Sequence, residues 1–267
     1  MRLAVSLLAV MLAVSARLAA QAHPTLAEHI TLGDSADAAL APAQALQHYR
    51  AALALDSTSY EALWKVAREL VTVAKQIEGK DDSSKHARDS LYTEARTFGE
   101  AAVRVNPTGS DGHFEVGEAL GRLSRTKGGK ERVRFAKLIY DEGMKAIELD
   151  STNDRAYHLV GAWHAEVKRL SGFEKFFAKT LFGGGFLDKG NWDDAQHYLE
   201  RSVALKPKNI FHRYELAGVY IDIGKYSKAR EQLNALGTLP IADVLDHQYQ
   251  TEAKQLLADI KGEKDET

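Results

Sequence analysis

The sequence predicts an all-α protein built as a right-handed solenoid of helix pairs. Three observations lead to this class: a composition that favours helices, a helix-ending phrase that recurs along the chain, and a constant spacing between successive copies. The 267 residues include only five prolines, and 45% of them are hydrophobic, which is enough to bury a core. A net charge of −2 indicates no basic surface for nucleic acid.

The recurring phrase ends four helices, at 52–57, 102–107, 146–151 and 202–207. After a short polar turn, each copy is followed by a helix that carries a small residue beside apolar ones. The small residues are Ala67, Gly117, Gly161 and Ala217. Small side chains at such positions allow two helices to approach closely.

The spacing of these landmarks divides each repeat into a constant and a variable half. In the last copy, the small residue of helix A (Ala217) stands twelve positions before that of helix B (Ala229). From each helix B landmark to the next helix A the distance is twenty-two positions, and the sum of the two distances gives an uninterrupted period of thirty-four. These phrases resemble the tetratricopeptide repeat. We therefore predict a tetratricopeptide-like helical solenoid, with insertions of sixteen, ten and twenty-two positions between helices A and B of the first three pairs.

The same landmarks set the expected domains. A flexible N-terminal segment is expected at 23–40, the helical repeat domain at 41–260 and a disordered tail at 261–267. Within the repeat domain, the segment 42–55 reads as a lone helix of type B, helix pairs are expected near 59–105, 110–149, 154–205 and 209–237, and 243–260 reads as a capping helix.

The segment 1–22 reads as a signal peptide. Arg2 precedes an apolar run at 3–14, and the small residues Ala20 and Ala22 flank Gln21 as at a cleavage site. We expect cleavage after Ala22 and export to the periplasm or cell envelope; the alternative is an uncleaved membrane anchor. The chain has no cysteine, which excludes disulfides, thiolate metal sites and a lipoprotein anchor.

The third insertion is predicted to contain a short amphipathic helix. Ser171 and Glu174 have the spacing of a capping box, and the glycines at 183–185 end the helix. Its apolar residues are Phe173, Phe176, Phe177, Leu181 and Phe182. Two interpretations stay open: this face packs on the preceding helix, which carries Trp163, or it is an exposed patch for a partner protein or a membrane surface.

Residues 170–183, followed by Ala195 and 205–207, resemble the regulator of microtubule dynamics family. In that family a similar Glu-Lys-x-x-Ala-x-x-Leu-Phe-Gly segment interrupts a tetratricopeptide pair. The resemblance implies a helical repeat fold, association with other proteins and no known catalytic residues. Animal members are linked to microtubules and organelle membranes; we carry over the fold to this chain and not the tubulin partner.

No motif indicates an enzyme, a cofactor or a metal site. His158 and His164 are six positions apart, which places them on different faces of a helix, and no His-Glu-x-x-His or phosphate-binding loop occurs. The sequence therefore predicts a non-enzymatic scaffold that binds a protein or peptide partner in the cell envelope. The alternatives are a peripheral membrane protein that docks through 171–182, and a microtubule-regulator-like binding protein by family analogy.

The expected binding surface is the concave groove formed by the A helices. Residues one position after the small residue of helix A, or three before it, should face inward. They include Trp64, Arg68, Phe114, Glu118, His158, Tyr214 and Gly218. Aromatic rings mixed with one arginine and one glutamate suit a peptide or a helix as ligand. The alternative for each residue is a place in the core between helices.

Overall fold

The computed structural model describes residues 24–266, except for the side chains of Phe173 and Phe177, and all regular elements within it are helical. The helices are α1 (Leu26–Ala38), α2 (Pro42–Leu55), α3 (Tyr60–Lys75), α4 (Asp82–Val105), α5 (Ser110–Ser124), α6 (Gly129–Leu149), α7 (Asp154–Arg169), α8 (Gly172–Phe182), α9 (Trp192–Leu205), α10 (Ile210–Asp222), α11 (Tyr226–Leu236) and α12 (Asp246–Asp259). A 3₁₀ segment, Gly184–Lys189, lies between α8 and α9. The predicted all-α solenoid is confirmed.

The helices pack as successive pairs: α1 with α2, α3 with α4, α5 with α6, α7 with α9, and α10 with α11. The A helices of neighbouring pairs also meet, since α3 contacts α5, α5 contacts α7, and α7 contacts α10. They form the concave layer. The last helix, α12, packs on both α10 and α11 and closes the solenoid at its C-terminal end.

The small residues lie where helices approach most closely. Ala67, Ala195 and Ala217 have no exposed surface. At Gly117, an added Cβ would lie 2.6 Å from Leu159 Cδ2, well inside ordinary contact distance. Leu159 thus occupies the space that a side chain at position 117 would need.

The three insertions differ in structure. The first two mainly lengthen the B helices at their N-terminal ends, so that α4 has 24 residues and α6 has 21. Asp81 begins α4 by accepting a hydrogen bond from the Ser84 backbone N–H at 3.0 Å. The third insertion instead forms a separate element, α8 with the 3₁₀ segment.

The expectation of a flexible segment at 23–40 is corrected, because this region contains α1. Thr25 and Glu28 form a capping box at its start, and the buried residues Ile30, Gly33 and Ala36 face α2. The helix also forms polar contacts, since the Tyr49 hydroxyl of α2 donates a hydrogen bond to an Asp34 carboxylate oxygen at 2.6 Å. The helix predicted to stand alone at 42–55 is therefore the second member of a complete pair.

The expectation of a disordered tail at 261–267 is corrected for residues 261–266. The Glu266 N–H donates to the Gly224 carbonyl at 3.0 Å, and the Ser227 N–H donates to an Asp265 carboxylate oxygen at 2.6 Å. Arg230 holds the same segment through the carbonyls of Ile260 and Glu263, both at 3.1 Å. The tail thus returns along the start of α11, where Asp265 accepts the Ser227 N–H of the first turn.

Residues 1–23 and Thr267 lie outside the described residues. The signal peptide expected at 1–22, and its cleavage after Ala22, therefore stay predictions. Among residues 24–266, no helix is long and apolar enough to cross a membrane.

Candidate functional site: the concave groove

The concave side of the solenoid encloses a cavity of about 430 Å³. One wall is formed by the A helices α3, α5 and α7. The other wall comes from the α1–α2 turn and from the two C-terminal connections that precede α10 and α12. The charged lining residues are Asp37, Arg68, Lys75, Glu118, Arg155, Lys206, Lys208, Asp243 and Asp246. The superhelix therefore brings both ends of the repeat domain to one groove.

Arg155, at the start of α7, is fixed in this groove by both rings and carboxylates. Its guanidinium carbon lies 4.4 Å from the centroid of the Phe114 ring and 5.7 Å from that of Trp64. It also donates hydrogen bonds to Glu115 at 2.7 Å and to Asp111 at 2.6 Å. These contacts join three successive A helices through one cation.

Two further cations on α3 are paired with carboxylates of other helices. Arg68 contacts the Asp37 carboxylate at 2.8 Å, which ties α3 to the end of α1. Lys75 contacts Glu118 of α5 at 3.1 Å, and Arg122 approaches the same carboxylate at 3.4 Å. Burial acts to raise the pKa of Glu118, but the charges of Lys75 and Arg122 outweigh it and hold this pKa below its usual range. Glu118 is therefore a carboxylate at neutral pH.

Two glutamates lie beneath these cations with fully buried side chains. Glu69 accepts a hydrogen bond from Arg68 at 2.7 Å, and Glu115 accepts one from Arg155. In each, the second carboxylate oxygen is buried without a hydrogen-bond partner among the described residues. Burial raises the pKa of Glu69 to about 7 and also raises the pKa of Glu115, because the charged form loses its hydration.

The two lysines on the opposite wall have no such partners. Lys206 and Lys208 line the cavity, are exposed, and form no ion pair with any described residue. The acidic residues on that wall are engaged by backbone: Asp246 accepts hydrogen bonds from the N–H groups of Ala242 and Asp243, both at 2.8 Å. These backbone hydrogen bonds do not cancel the negative charges of Asp243 and Asp246, but Asp246 is buried and both carboxylates already have donors. The exposed charged groups of this wall that can pair with a ligand are therefore the two ammonium groups.

Among the sequence-predicted groove residues, Arg68 and Glu118 line the cavity. Trp64 and Phe114 lie behind the cavity and support Arg155. Gly218 faces Arg169, since a Cβ added at Gly218 would lie 3.6 Å from Arg169 Nη2. No observation tests their role in binding, which stays a prediction. Arg155, Lys75, Lys206 and Lys208 were not predicted, because the spacing rule selects only two positions on each A helix.

His158 and Tyr214 are interhelical residues. His158 is buried between α7 and α10, with its Nδ1 atom 3.0 Å from Nδ1 of His212 and its ring centroid 4.5 Å from that of Phe211, tilted by 36°. Burial lowers the pKa of His158 well below its usual value, so the ring is neutral. The Tyr214 ring packs 5.1 Å from Tyr249 of α12, because α12 covers this end of the concave layer.

The predicted insertion helix forms as α8. Ser171 accepts from the Glu174 N–H at 3.2 Å while Glu174 accepts from the Ser171 N–H at 2.8 Å, and Gly183 ends the helix with a φ of +71°. Phe182 is half-buried, with its ring against Gly129 at the start of α6. Phe176 and Leu181, in contrast, are 62% and 60% exposed.

The remaining two members of the predicted patch, Phe173 and Phe177, have side chains outside the described part of the structure. Trp163 contacts the 3₁₀ segment, whose Phe186 ring lies 6.3 Å from the Trp163 ring. The 3₁₀ segment, which is the second part of the insertion, therefore packs on the core, whereas α8 exposes the apolar side chains of Phe176 and Leu181.

The paired helices and the concave groove define a tetratricopeptide-like helical repeat protein, a class whose members bind proteins or peptides. A thermophilic TPR protein of Thermus thermophilus superposes with a TM-score of 0.64 at 19% identity, covering 88% of this chain and 100% of that one. The pilF protein of Pseudomonas aeruginosa gives a TM-score of 0.50 at 15% identity, over 89% and 92%. At these identities the likeness shows the fold alone.

Comparison of the sequence with known families identifies the family of this chain. The family model for regulator of microtubule dynamics protein 1-3 matches residues 30–261, and the chain belongs to this family. Regulator of microtubule dynamics protein 1 of Bos taurus is 27% identical over 203 residues, which cover 76% of this chain and 62% of the relative. Protein 3 of Rattus norvegicus is 25% identical over 73% of this chain and 40% of its own length. This chain thus spans between two fifths and two thirds of these relatives. The resemblance found in residues 170–183 is confirmed.

Proposed function

We propose that the protein is a non-enzymatic binding scaffold whose concave groove takes an extended, acidic segment of a partner protein. The observation that carries the proposal is the cavity of about 430 Å³, in which Lys206 and Lys208 have no carboxylate partner among the described residues. The fold and the family are of a generally non-enzymatic kind, which supports binding as the activity.

The two walls of the groove have different parts in this binding. On the α3–α7 wall, Arg68, Lys75 and Arg155 are already neutralised by protein carboxylates, so they offer hydrogen-bond donors in a fixed arrangement and little net charge. On the opposite wall, Lys206 and Lys208 supply exposed ammonium groups that have no ion-pair partner among the described residues. An acidic side chain of the ligand would pair with these lysines, while its backbone carbonyls accept hydrogen bonds from the paired wall.

A random peptide library displayed on phage tests this proposal without a known partner. We expect peptides selected on the wild-type protein to be enriched in Asp and Glu, and to lose at least about tenfold in affinity on a Lys206→Glu, Lys208→Glu variant, since each lost pair and each new repulsion costs about 1 kcal/mol. The control variant, Lys80→Glu with Lys254→Glu, has the same change in net charge at two exposed sites outside the groove. Equal loss on both variants, or no acidic enrichment, would count against the groove.

Family membership supplies a second candidate, a binding protein with a role like that of the microtubule regulators. The supporting observation is the family match over residues 30–261. Co-sedimentation with taxol-stabilised microtubules tests it: a protein that stays in the supernatant at all microtubule concentrations removes this candidate and leaves the groove proposal unchanged.

The cell envelope is the proposed place of action. The proposal rests on the sequence of residues 1–22, which lie outside the described residues. Cell fractionation with N-terminal sequencing tests it. We expect the protein in the envelope or periplasmic fraction with His23 as its first residue; a cytoplasmic protein that retains Met1 would contradict this.

A further inference from the structure

Helix α8 stands outside the layers of paired helices. Its neighbours are the N-terminal part of α6 and the 3₁₀ segment that follows it. The buried Ala178 and the half-buried Phe182 fix the inner side of the helix, and they thereby determine which residues point away from the solenoid. Phe176 and Leu181 are exposed by 62% and 60%, the highest exposures among the large hydrophobic side chains described.

Positive charge is concentrated around this helix. The segment 168–182 holds four Lys or Arg and one Glu, and the segment 127–134, at the start of α6, holds the same numbers. We call these two segments together the basic edge. The rest of the chain carries 27 Lys and Arg against 35 Asp and Glu, so the basic edge differs in sign from the remainder of the protein.

The two segments of the basic edge are adjacent in the structure. Gly129 lies directly against the Phe182 ring, since a Cβ added there would be 2.8 Å from a ring carbon. The charge of Arg132 also acts on Glu174. Along α8 itself, the desolvation of Lys175 and the charges of Lys168 and Lys179 lower the pKa of Lys175, as expected where ammonium groups are crowded.

We propose that α8 docks on the surface of an anionic lipid bilayer, with Phe176 and Leu181 entering the headgroup region. The cations of the basic edge that form no ion pair with described residues would face the lipid phosphates and carboxylates; they are Lys130, Arg132, Lys168 and Lys175. Apolar side chains that project between cations are the pattern by which amphipathic helices bind anionic interfaces. A protein partner would also need a surface shaped to receive two protruding side chains, whereas a bilayer accepts them without a preformed pocket. The charge of the basic edge selects the anionic surface.

A single environment-sensitive probe on α8 tests this proposal. The chain has no cysteine, so a Thr180→Cys variant can be labelled with a nitrobenzoxadiazole group at one exposed site between Phe176 and Leu181. We expect the emission to shift to the blue and to rise when the full protein meets vesicles of phosphatidylcholine with 30% phosphatidylserine. A probe at Leu55→Cys, where the leucine is 57% exposed on α2, serves as the matched control and should not respond.

The charge dependence is tested in the same labelled protein. Lys168→Gln with Lys175→Gln removes two cations that form no ion pair with described residues. We expect the vesicle concentration at half-maximal response to rise by more than about tenfold, since each basic residue near an anionic surface contributes about fivefold.

Three outcomes would overturn the proposal. The first is no response of the Thr180 probe to anionic vesicles while circular dichroism shows an unchanged helical fold; this result would assign α8 to a protein partner instead. The second is an equal response at Leu55, and the third is an equal response to vesicles of pure phosphatidylcholine. The groove proposal does not depend on any of them, because the probe reports only on α8.

Discussion

Replacing Gly161 by alanine tests whether the pair of α7 and α9, which contains the third insertion, depends on close contact between these two helices. A Cβ at Gly161 would lie 2.7 Å from Leu199 Cγ, 3.0 Å from the Leu199 nitrogen and 3.2 Å from the Ala195 carbonyl oxygen. Two of these atoms belong to the backbone, so that a change of rotamer cannot relieve the contact and the two helices must separate. Overpacking of this kind costs about 1–3 kcal/mol, and the backbone contacts favour the upper end.

Alanine also has a helix propensity about 1 kcal/mol better than glycine, so we expect a net loss of about 2 kcal/mol in the free energy of unfolding. For a protein of this size, that loss lowers the Tm by about 4–8 °C. Gly121 on α5 is the matched control, because an added Cβ there would meet no heavy atom within 4 Å. Gly121→Ala should raise the Tm slightly. Thermal unfolding followed by circular dichroism measures both, and a Gly161→Ala protein that melts at or above the wild-type temperature would refute the reasoning.

Three further predictions concern buried charge, the tail and the end of α8. The pKa of Glu69 is raised in the folded state, so the wild type should lose up to about 3 kcal/mol of stability as the pH rises from 4.5 to above 7. Urea unfolding at several pH values should show a smaller decrease for Glu69→Gln. An unchanged dependence of the unfolding free energy on pH would contradict this prediction. Asp265→Asn should lower the Tm by weakening the cap on α11, whereas Glu263→Gln should not, because the tail uses only the Glu263 carbonyl. Gly183 has a φ of +71°, so Gly183→Ala should destabilise α8 by about 1 kcal/mol. Hydrogen exchange of the α8 amides should therefore be faster in Gly183→Ala than in the control Gly185→Ala. Equal exchange rates in the two variants would count against a left-handed cap.

The repeat architecture could be predicted because it depends on local patterns. Small residues at a fixed spacing mark where two helices touch. The same spacing continues towards the N-terminus and marks one more helix pair than we predicted. Gly33 stands twelve positions before Ala45, and Ala45 stands twenty-two positions before Ala67, which together make the uninterrupted period of thirty-four. The complete first pair was therefore present in the sequence, together with the capping box of α1.

The groove could be predicted only in part, because its shape depends on how far the superhelix turns. The sequence does not state that the α1–α2 turn and the connection before α12 approach the same cavity. Arg155 was missed for this reason: it lies six positions before Gly161, and its contacts with Trp64 and Phe114 exist only when three A helices stack. His158, expected in the groove, is instead covered by α10.

The insertion helix shows the same division between local and tertiary information. The capping box at Ser171 and the glycine stop at Gly183 are local, and both were predicted correctly. Which apolar side chains would face the solenoid depends on the neighbours of α8, which among the described residues include the start of α6 and the 3₁₀ segment. The periodicity of the phenylalanines alone could not identify these neighbours.

Site-specific photo-crosslinking in the source cell tests the central claim, that the concave groove is the binding surface. A benzoylphenylalanine at Thr72, which lines the cavity on α3, should give covalent adducts with one or a few proteins, and mass spectrometry should locate the crosslinks in acidic segments. The same residue at Lys145, on α6 and not among the cavity-lining residues, is the control, and Lys206→Glu with Lys208→Glu should reduce the Thr72 adducts by about tenfold. Adducts of equal yield from Thr72 and Lys145, or none from Thr72, would contradict the claim.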